Sequence, residues 1–352
     1  VPDALLDGPG YAGLFSDGPT HAMELATLLG APLLGYAAGG ARVEGERPLG
    51  GQVEGALPSG AEAILYDPTV PQAERDAILG YDLNVGAQVG RLLALAPPTP
   101  VDAAPSLAAD DIVLVTFFAG LNDFADFAAF AVDEPLQALG QSANFVAGLV
   151  DDAQGAIEDL AEAGFVDQIG VYTLPRLTFF PDADAAPGVA LSLLNGLIDV
   201  YNAELIKGAG DIGAASGKEI EVVRLDDFAE EIDANPETYG FLDKGPYYLG
   251  GGTAPAFPPD LGPGSDLAAL QLSFERPPAA DPALEPDDMQ FFDQLHFSSA
   301  LHERLAAFSE AALTKVDRFL GDGDDVELAL GVPNLILGKD GDDRVVGGAQ
   351  DD

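Results

Sequence analysis

The chain has 352 residues, enough for one large domain or two ordinary ones with a sizeable core. Its 59 acidic and 15 basic residues give a formal charge of −44, which repels nucleic acid and anionic membranes and speaks against a polyanion-binding role. No cysteine is present, so disulfide, thiolate and cysteine–metal chemistry are excluded together.

Apolar residues make up 47% of the chain, as in a globular protein and unlike a disordered one. No continuous apolar run approaches the roughly 18–20 residues of a membrane helix, and no signal-peptide pattern is visible. Thr20 to Leu29 reads as a helix stopped by Gly30, and Pro32 to Ala37 as a short strand. The run Ile112 to Phe118 is unbroken and apolar, as expected of a strand covered on both faces. Pro135 opens a long helix, with Leu136, Leu139, Ala143, Val146, Val150, Ala153, Ile157 and Leu160 three and four apart and Gly164 as its stop. Ile169 to Leu174 is the next strand, Ala190 to Ile206 a helix, and Ile220 to Leu225 another strand. A final helix carries Leu301, Leu305, Phe308, Ala312, Val316 and Phe319 on one face, with Ser298 or Ser299 as its cap. Pro- and Gly-rich insertions interrupt the pattern at 43–70, 96–109 and 243–288 and read as surface excursions.

Strands alternating with helices imply a parallel sheet between two helix layers, with chemistry at the carboxyl ends of the strands. Gly39-Gly40 and Gly120-Leu121-Asn122-Asp123 both follow such strands, the latter on a strand-end loop. The three histidines are His21, His296 and His302. His296 stands three residues after Asp293, a spacing that lets a carboxylate hold Nδ1 and leaves Nε2 free as a general base. With 59 acids in the chain, a chance Asp beside a loop histidine is the competing explanation. Gly40 offers an unobstructed backbone N–H and Asn122 a neutral side-chain NH2, the two kinds of donor an oxyanion needs. Ordinary turns explain either segment taken alone.

Taken together, Phe15-Ser16-Asp17-Gly18-Pro19, Tyr36-Ala37-Ala38-Gly39-Gly40-Ala41-Arg42, Gly120-Leu121-Asn122-Asp123 and Asp293-Gln294-Leu295-His296 resemble the blocks of the GDSL-type, or SGNH, esterases and lipases. Tyr201-Asn202-Ala203-Glu204-Leu205 and Asn235-Pro236-Glu237-Thr238-Tyr239-Gly240-Phe241 resemble two further segments of that family. They point to its branch of secreted bacterial lipases, phospholipases and haemolysin-like esterases. Phe297 departs from the pattern, because a proline usually follows the histidine. The resemblance implies a three-layer α/β/α, flavodoxin-like fold over residues 1–319 and a carboxylic ester hydrolase. Its catalytic pair would be His296 and Asp293, its oxyanion donors Gly40 and Asn122, with His21 near substrate and His302 packing or hydrogen-bonding. The family's Gly-Asp-Ser is absent from the sequence. Ser16 matches the segment downstream of the nucleophile, so the catalytic serine and the first strand are expected ahead of Val1, and this chain by itself is expected to be inactive.

From Leu320 the pattern changes. Gly323-Asp324-Asp325 recurs as Gly341-Asp342-Asp343, and Asp325, Asn334, Asp343 and Asp352 share one phase of a nine-residue period. Residues 320–352 thus resemble the RTX nonapeptide tract, a calcium-binding parallel β-roll. Glycines permit its turns, carboxylates ligate the hard cation, and an apolar residue fills its interior. An acidic disordered tail is the competing reading. The resemblance implies calcium as a partner, no cofactor for catalysis, and type I export from a Gram-negative bacterium to the extracellular space. The rival reading of the whole chain is a non-catalytic, calcium-dependent surface module on a decayed hydrolase fold.

Overall fold

The computed structural model describes residues 19–33, 41–45, 82, 84–94, 112–181, 183, 188–246, 284, 286–292, 296–314, 318–319, 326–329, 336–337 and 344–347. In chain order these hold α1 (His21–Leu28), α2 (Val85–Ala94), β1 (Leu114–Phe117), α3 (Leu121–Asp133), α4 (Pro135–Glu162) and β2 (Gln168–Tyr172). Then come α5 (Gly188–Ser216), β3 (Glu219–Val223), α6 (Leu225–Ala234) and α7 (Ser299–Thr314). The three strands lie parallel in the order β1-β2-β3, with Val115 beside Ile169 and Ile169 beside Ile220. Parallel neighbours need crossover connections, and α4 and α5 lie within them.

Alternation along the strands builds two cores. Ile169 and Val171 of β2 pack into an apolar cluster with Leu149, Ile157 and Leu160 of α4 and Ile198, Tyr201 and Leu205 of α5. Tyr172 and Val223 belong to the opposite cluster, with Leu25 of α1, Phe228 of α6 and Leu301, Leu305 and Phe308 of α7. The sheet is therefore sandwiched between helix layers, the α/β architecture expected. Gly170 lets α7 sit directly on β2: a Cβ there would come within 2.7 Å of Leu313 Cδ2. Each large apolar side chain sealed in these cores contributes about 1.5–3 kcal/mol.

Several details depart from the sequence reading. β1 is not covered on both faces: Leu114 and Val115 are half-buried and Thr116 is exposed. Among the described residues β2 is its only sheet neighbour. Gly120-Leu121-Asn122-Asp123 is no loop, because α3 begins at Leu121 with Gly120 as its N-cap at φ +113°. Helices α2 and α6 are also additions. α4 extends as expected, yet Leu136 and Leu139 at its start lie outside the core, 85% and 59% exposed. α5 is long and apolar enough by composition to cross a membrane, although charged residues interrupt it and one face is packed against α4 and the sheet.

Beyond α7, two short parallel pairs form, Arg318–Phe319 (β4) with Ile336–Leu337 (β6) and Val326–Ala329 (β5) with Arg344–Gly347 (β7). Both pair residues 18 positions apart, Arg318 with Ile336 and Val326 with Arg344.

Candidate active site

The carboxyl end of β1 turns directly into α3, and three interactions fix the turn. Gly120 supplies the left-handed backbone and has no room for a side chain, since a Cβ would meet Leu174 Cδ1 at 3.2 Å and the Tyr201 ring at 3.3 Å. The Tyr201 hydroxyl donates to the Ala119 carbonyl at 3.2 Å. Asn122, in the first turn of α3, donates through Nδ2 to the Ala41 carbonyl at 2.7 Å. That bond ties the asparagine to the segment that follows Gly40.

The next residue secures the same segment. Asp123 is buried and accepts the backbone N–H groups of Val43 at 3.0 Å and Glu44 at 3.1 Å. Burial raises its pKa above the usual carboxylate value, while these hydrogen bonds and the nearby Arg42 pull the other way. Arg42 itself pairs with Asp126, one turn further along α3. Asn84 Nδ2 adds bonds to the carbonyls of Val43 and Gly45. Asp123→Ala is expected to leave two N–H groups without acceptors and to cost about 2–4 kcal/mol. Urea unfolding checks this, and an unchanged midpoint would show that the segment holds itself.

The histidine loop is closed from below. Phe291 and Phe297 form an antiparallel bridge, and the Phe292 N–H donates to the His296 carbonyl at 2.8 Å. Ser298 accepts the Leu301 N–H at 3.2 Å and so caps α7, while its hydroxyl donates to the Met289 carbonyl at 2.7 Å. Phe297 is buried among Phe179, Phe180 and Phe291, at centroid distances of 5.9, 6.2 and 5.5 Å. Where the family pattern has a proline, an aromatic anchor therefore holds the loop. His296 stands on this base half-buried.

All three histidines gather at the carboxyl edge of the sheet. His21 packs edge-on against Tyr172, the last residue of β2, at 5.5 Å, and stacks with His302 at 6.1 Å. His296 lies within electrostatic reach of His302. Both inner rings are starved of water: burial pushes His21 down to about 4 and His302 down to about 3 from the usual 6.5. His21 Nε2 and His302 Nδ1 are sealed and have no hydrogen-bond partner among the described residues. At neutral pH the pair is therefore uncharged, a desolvated floor near His296.

Of the residues singled out from sequence, Asn122, His296, His21 and His302 are thus placed at the strand ends. Gly40, Asp293 and the tail residues Asp325, Asn334, Asp343 and Asp352 lie outside the described residues. Among the described residues no group of three or more His, Asp or Glu is placed to hold a metal ion. Sequence reasoning took Asp123 for part of a turn and gave no task to Tyr201 and Asn202. Asn202 in fact accepts the Leu174 N–H and donates to the Leu174 carbonyl, each at 2.8 Å, fixing the chain just past β2. The signal was the Tyr-Asn pair itself, since a buried amide inside a helix needs partners.

A parallel sheet between helix layers, with a histidine loop and a neutral amide donor on its carboxyl edge, has the plan of an α/β protein whose site lies at the strand ends. The chain belongs to the GDSL-like lipase/acylhydrolase family, whose model matches residues 3–308. Membership implies an ester hydrolase. No curated protein matches the chain.

Proposed function

We propose that the protein cleaves carboxylic esters through an acyl-enzyme, with His296 as general base and Asp293 orienting its imidazole. A serine in a Gly-Asp-Ser block ahead of Val1 attacks the ester carbonyl and gives its proton to His296 Nε2. The tetrahedral oxyanion is held by the Gly40 N–H and the Asn122 amide. Collapse breaks the acyl–oxygen bond, and His296 returns the proton to the departing alcohol. Water then repeats the sequence on the acyl-serine and releases the acid. The observation that carries this reading is the bond from Asn122 to the Ala41 carbonyl. One amide hydrogen anchors the segment following Gly40, and the second remains for an oxyanion.

Hydrolysis of p-nitrophenyl acyl esters tests it, comparing this chain with one extended by the sequence encoded upstream. Turnover by the extended chain alone supports the proposal. Turnover by this chain that vanishes in Ser16→Ala would move the nucleophile. Silence of both would favour the non-catalytic module.

The tail is proposed as a calcium-binding roll, with Asp325, Asn334, Asp343 and Asp352 as ligands, folding outside the cell after type I export. The 18-residue parallel offset of both tail pairs supports this, because it equals two nine-residue periods. Calorimetry is expected to give weak calcium binding that is lost in the double variant Asp325→Ala/Asp343→Ala. Identical heats with and without those two carboxylates would remove the assignment.

A further inference from the structure

The two longest helices overshoot the sheet. α4 has 28 residues and α5 has 29, about 42 and 44 Å at ~1.5 Å per residue. β2, of 5 residues, spans only about 17 Å. Each helix runs back toward the start of the following strand, so the surplus at its amino end projects past the carboxyl edge, where Asn122 and the histidines stand. The end of α3 joins them: Phe127 and Ala131 of α3, Ala138 of α4 and Leu194 of α5 share one apolar cluster.

What these ends show to solvent is apolar. Val132 is 61% exposed, Leu136 85%, Leu139 59% and Val189 88%. Solvated helix ends ordinarily carry charge, and this chain has 74 charged residues with which to do so (59 acidic and 15 basic). Yet neither Pro135–Val150 nor Gly188–Ile198 contains an Asp, Glu, Lys or Arg. Among the described residues, the charges where α3 meets α4 are Asp133, the last residue of α3, and Glu134 between the two helices. Exposed apolar side chains on helix ends that share a buried cluster are the mark of a contact surface.

Charge decides among the occupants. A second copy also carries −44, and an anionic membrane repels both the chain and those two carboxylates. A zwitterionic lipid surface presents choline cations outermost and acyl chains beneath. It meets Asp133 and Glu134 with cations and takes Val132, Leu136, Leu139 and Val189 among its chains. We infer that the projecting ends of α3, α4 and α5 dock the protein onto a zwitterionic lipid surface. The docking surface does not rest on the ester-hydrolase reading.

Flotation with phosphatidylcholine vesicles tests the surface without reference to turnover. The full chain is expected to float with them, and to float at least tenfold less with vesicles rich in phosphatidylglycerol. Leu136→Ser/Val189→Ser should lower phosphatidylcholine binding at least tenfold while keeping the circular dichroism of the parent. Ile112→Ser removes an equally exposed apolar residue (80%) at the amino end of β1 and should change nothing. The proposal is overturned if the parent does not float, if the double variant floats like the parent, or if Ile112→Ser is equally damaging. It is also overturned if sedimentation shows a dimer that the double variant dissolves, because the patch then joins two copies. Flotation with no ester turnover by the extended chain sinks the hydrolase reading alone; ester turnover without flotation sinks the docking alone.

Discussion

His296→Ala is expected to lower kcat for ester hydrolysis by at least about 10⁴-fold in the chain that carries the upstream serine, with KM little changed. The imidazole is the only group assigned to take the serine proton, so its loss removes the chemistry and spares substrate binding. The fold should survive. His296 is half-buried, and its loop is held by the Phe291–Phe297 bridge and by the Ser298 cap, none of which uses the imidazole. Circular dichroism and a urea midpoint matching the parent separate a catalytic loss from a folding loss. Activity within tenfold of the parent would remove His296 from the mechanism.

The second large effect concerns the two inner histidines and acid. Unfolded, both titrate near 6.5; folded, His21 holds out to about 4 and His302 to about 3. Below pH 6.5 the unfolded chain binds more protons than the folded one, so stability is full above 6.5 and declines as pH falls toward 4. For His302 the deficit at pH 4 is on the order of 3 kcal/mol. His302→Phe keeps an aromatic ring beside Phe297 and removes the proton site. The variant should gain about that much relative to the parent between pH 6.5 and pH 4. Carboxylate repulsion changes over the same range but is common to both chains and cancels in the difference. Urea titrations at several pH values read it, and a difference that stays flat would show that His302 is charged in the folded state.

How much of this was legible in the sequence depends on how local the cause is. The period of α4, the runs of β2 and β3 and the cap at Ser298 are written within a few consecutive residues, and the structure has them. β1 was misjudged because an apolar run records a preference for burial and not the cover the folded chain provides. Leu136 and Leu139 were misjudged for a related reason. They keep the stripe of α4, but the helix outruns the layer it covers, and helix length against strand length is a property of the assembled fold. Asp123 was illegible as a structural residue because its partners Val43 and Glu44 lie about 80 positions away. The stacking of His21 on His302 was not legible either, because it required bringing α1 and α7 together.

Tyr201 and Asn202 are consecutive on α5, and they hold two different strands: the first bonds the chain past β1, the second the chain past β2. Successive residues on a helix point about 100° apart, which suits neighbouring strands about 4.8 Å from each other. The helix thus works as a gauge block, setting the height at which both strand ends stop. Inserting a single residue upstream in α5 would turn the pair away from both strands at once. For anyone altering specificity in this protein, that marks a limit. The phase of α5 must be kept, and so must Phe179 and Phe180 past Leu174, which hold the histidine loop through Phe297.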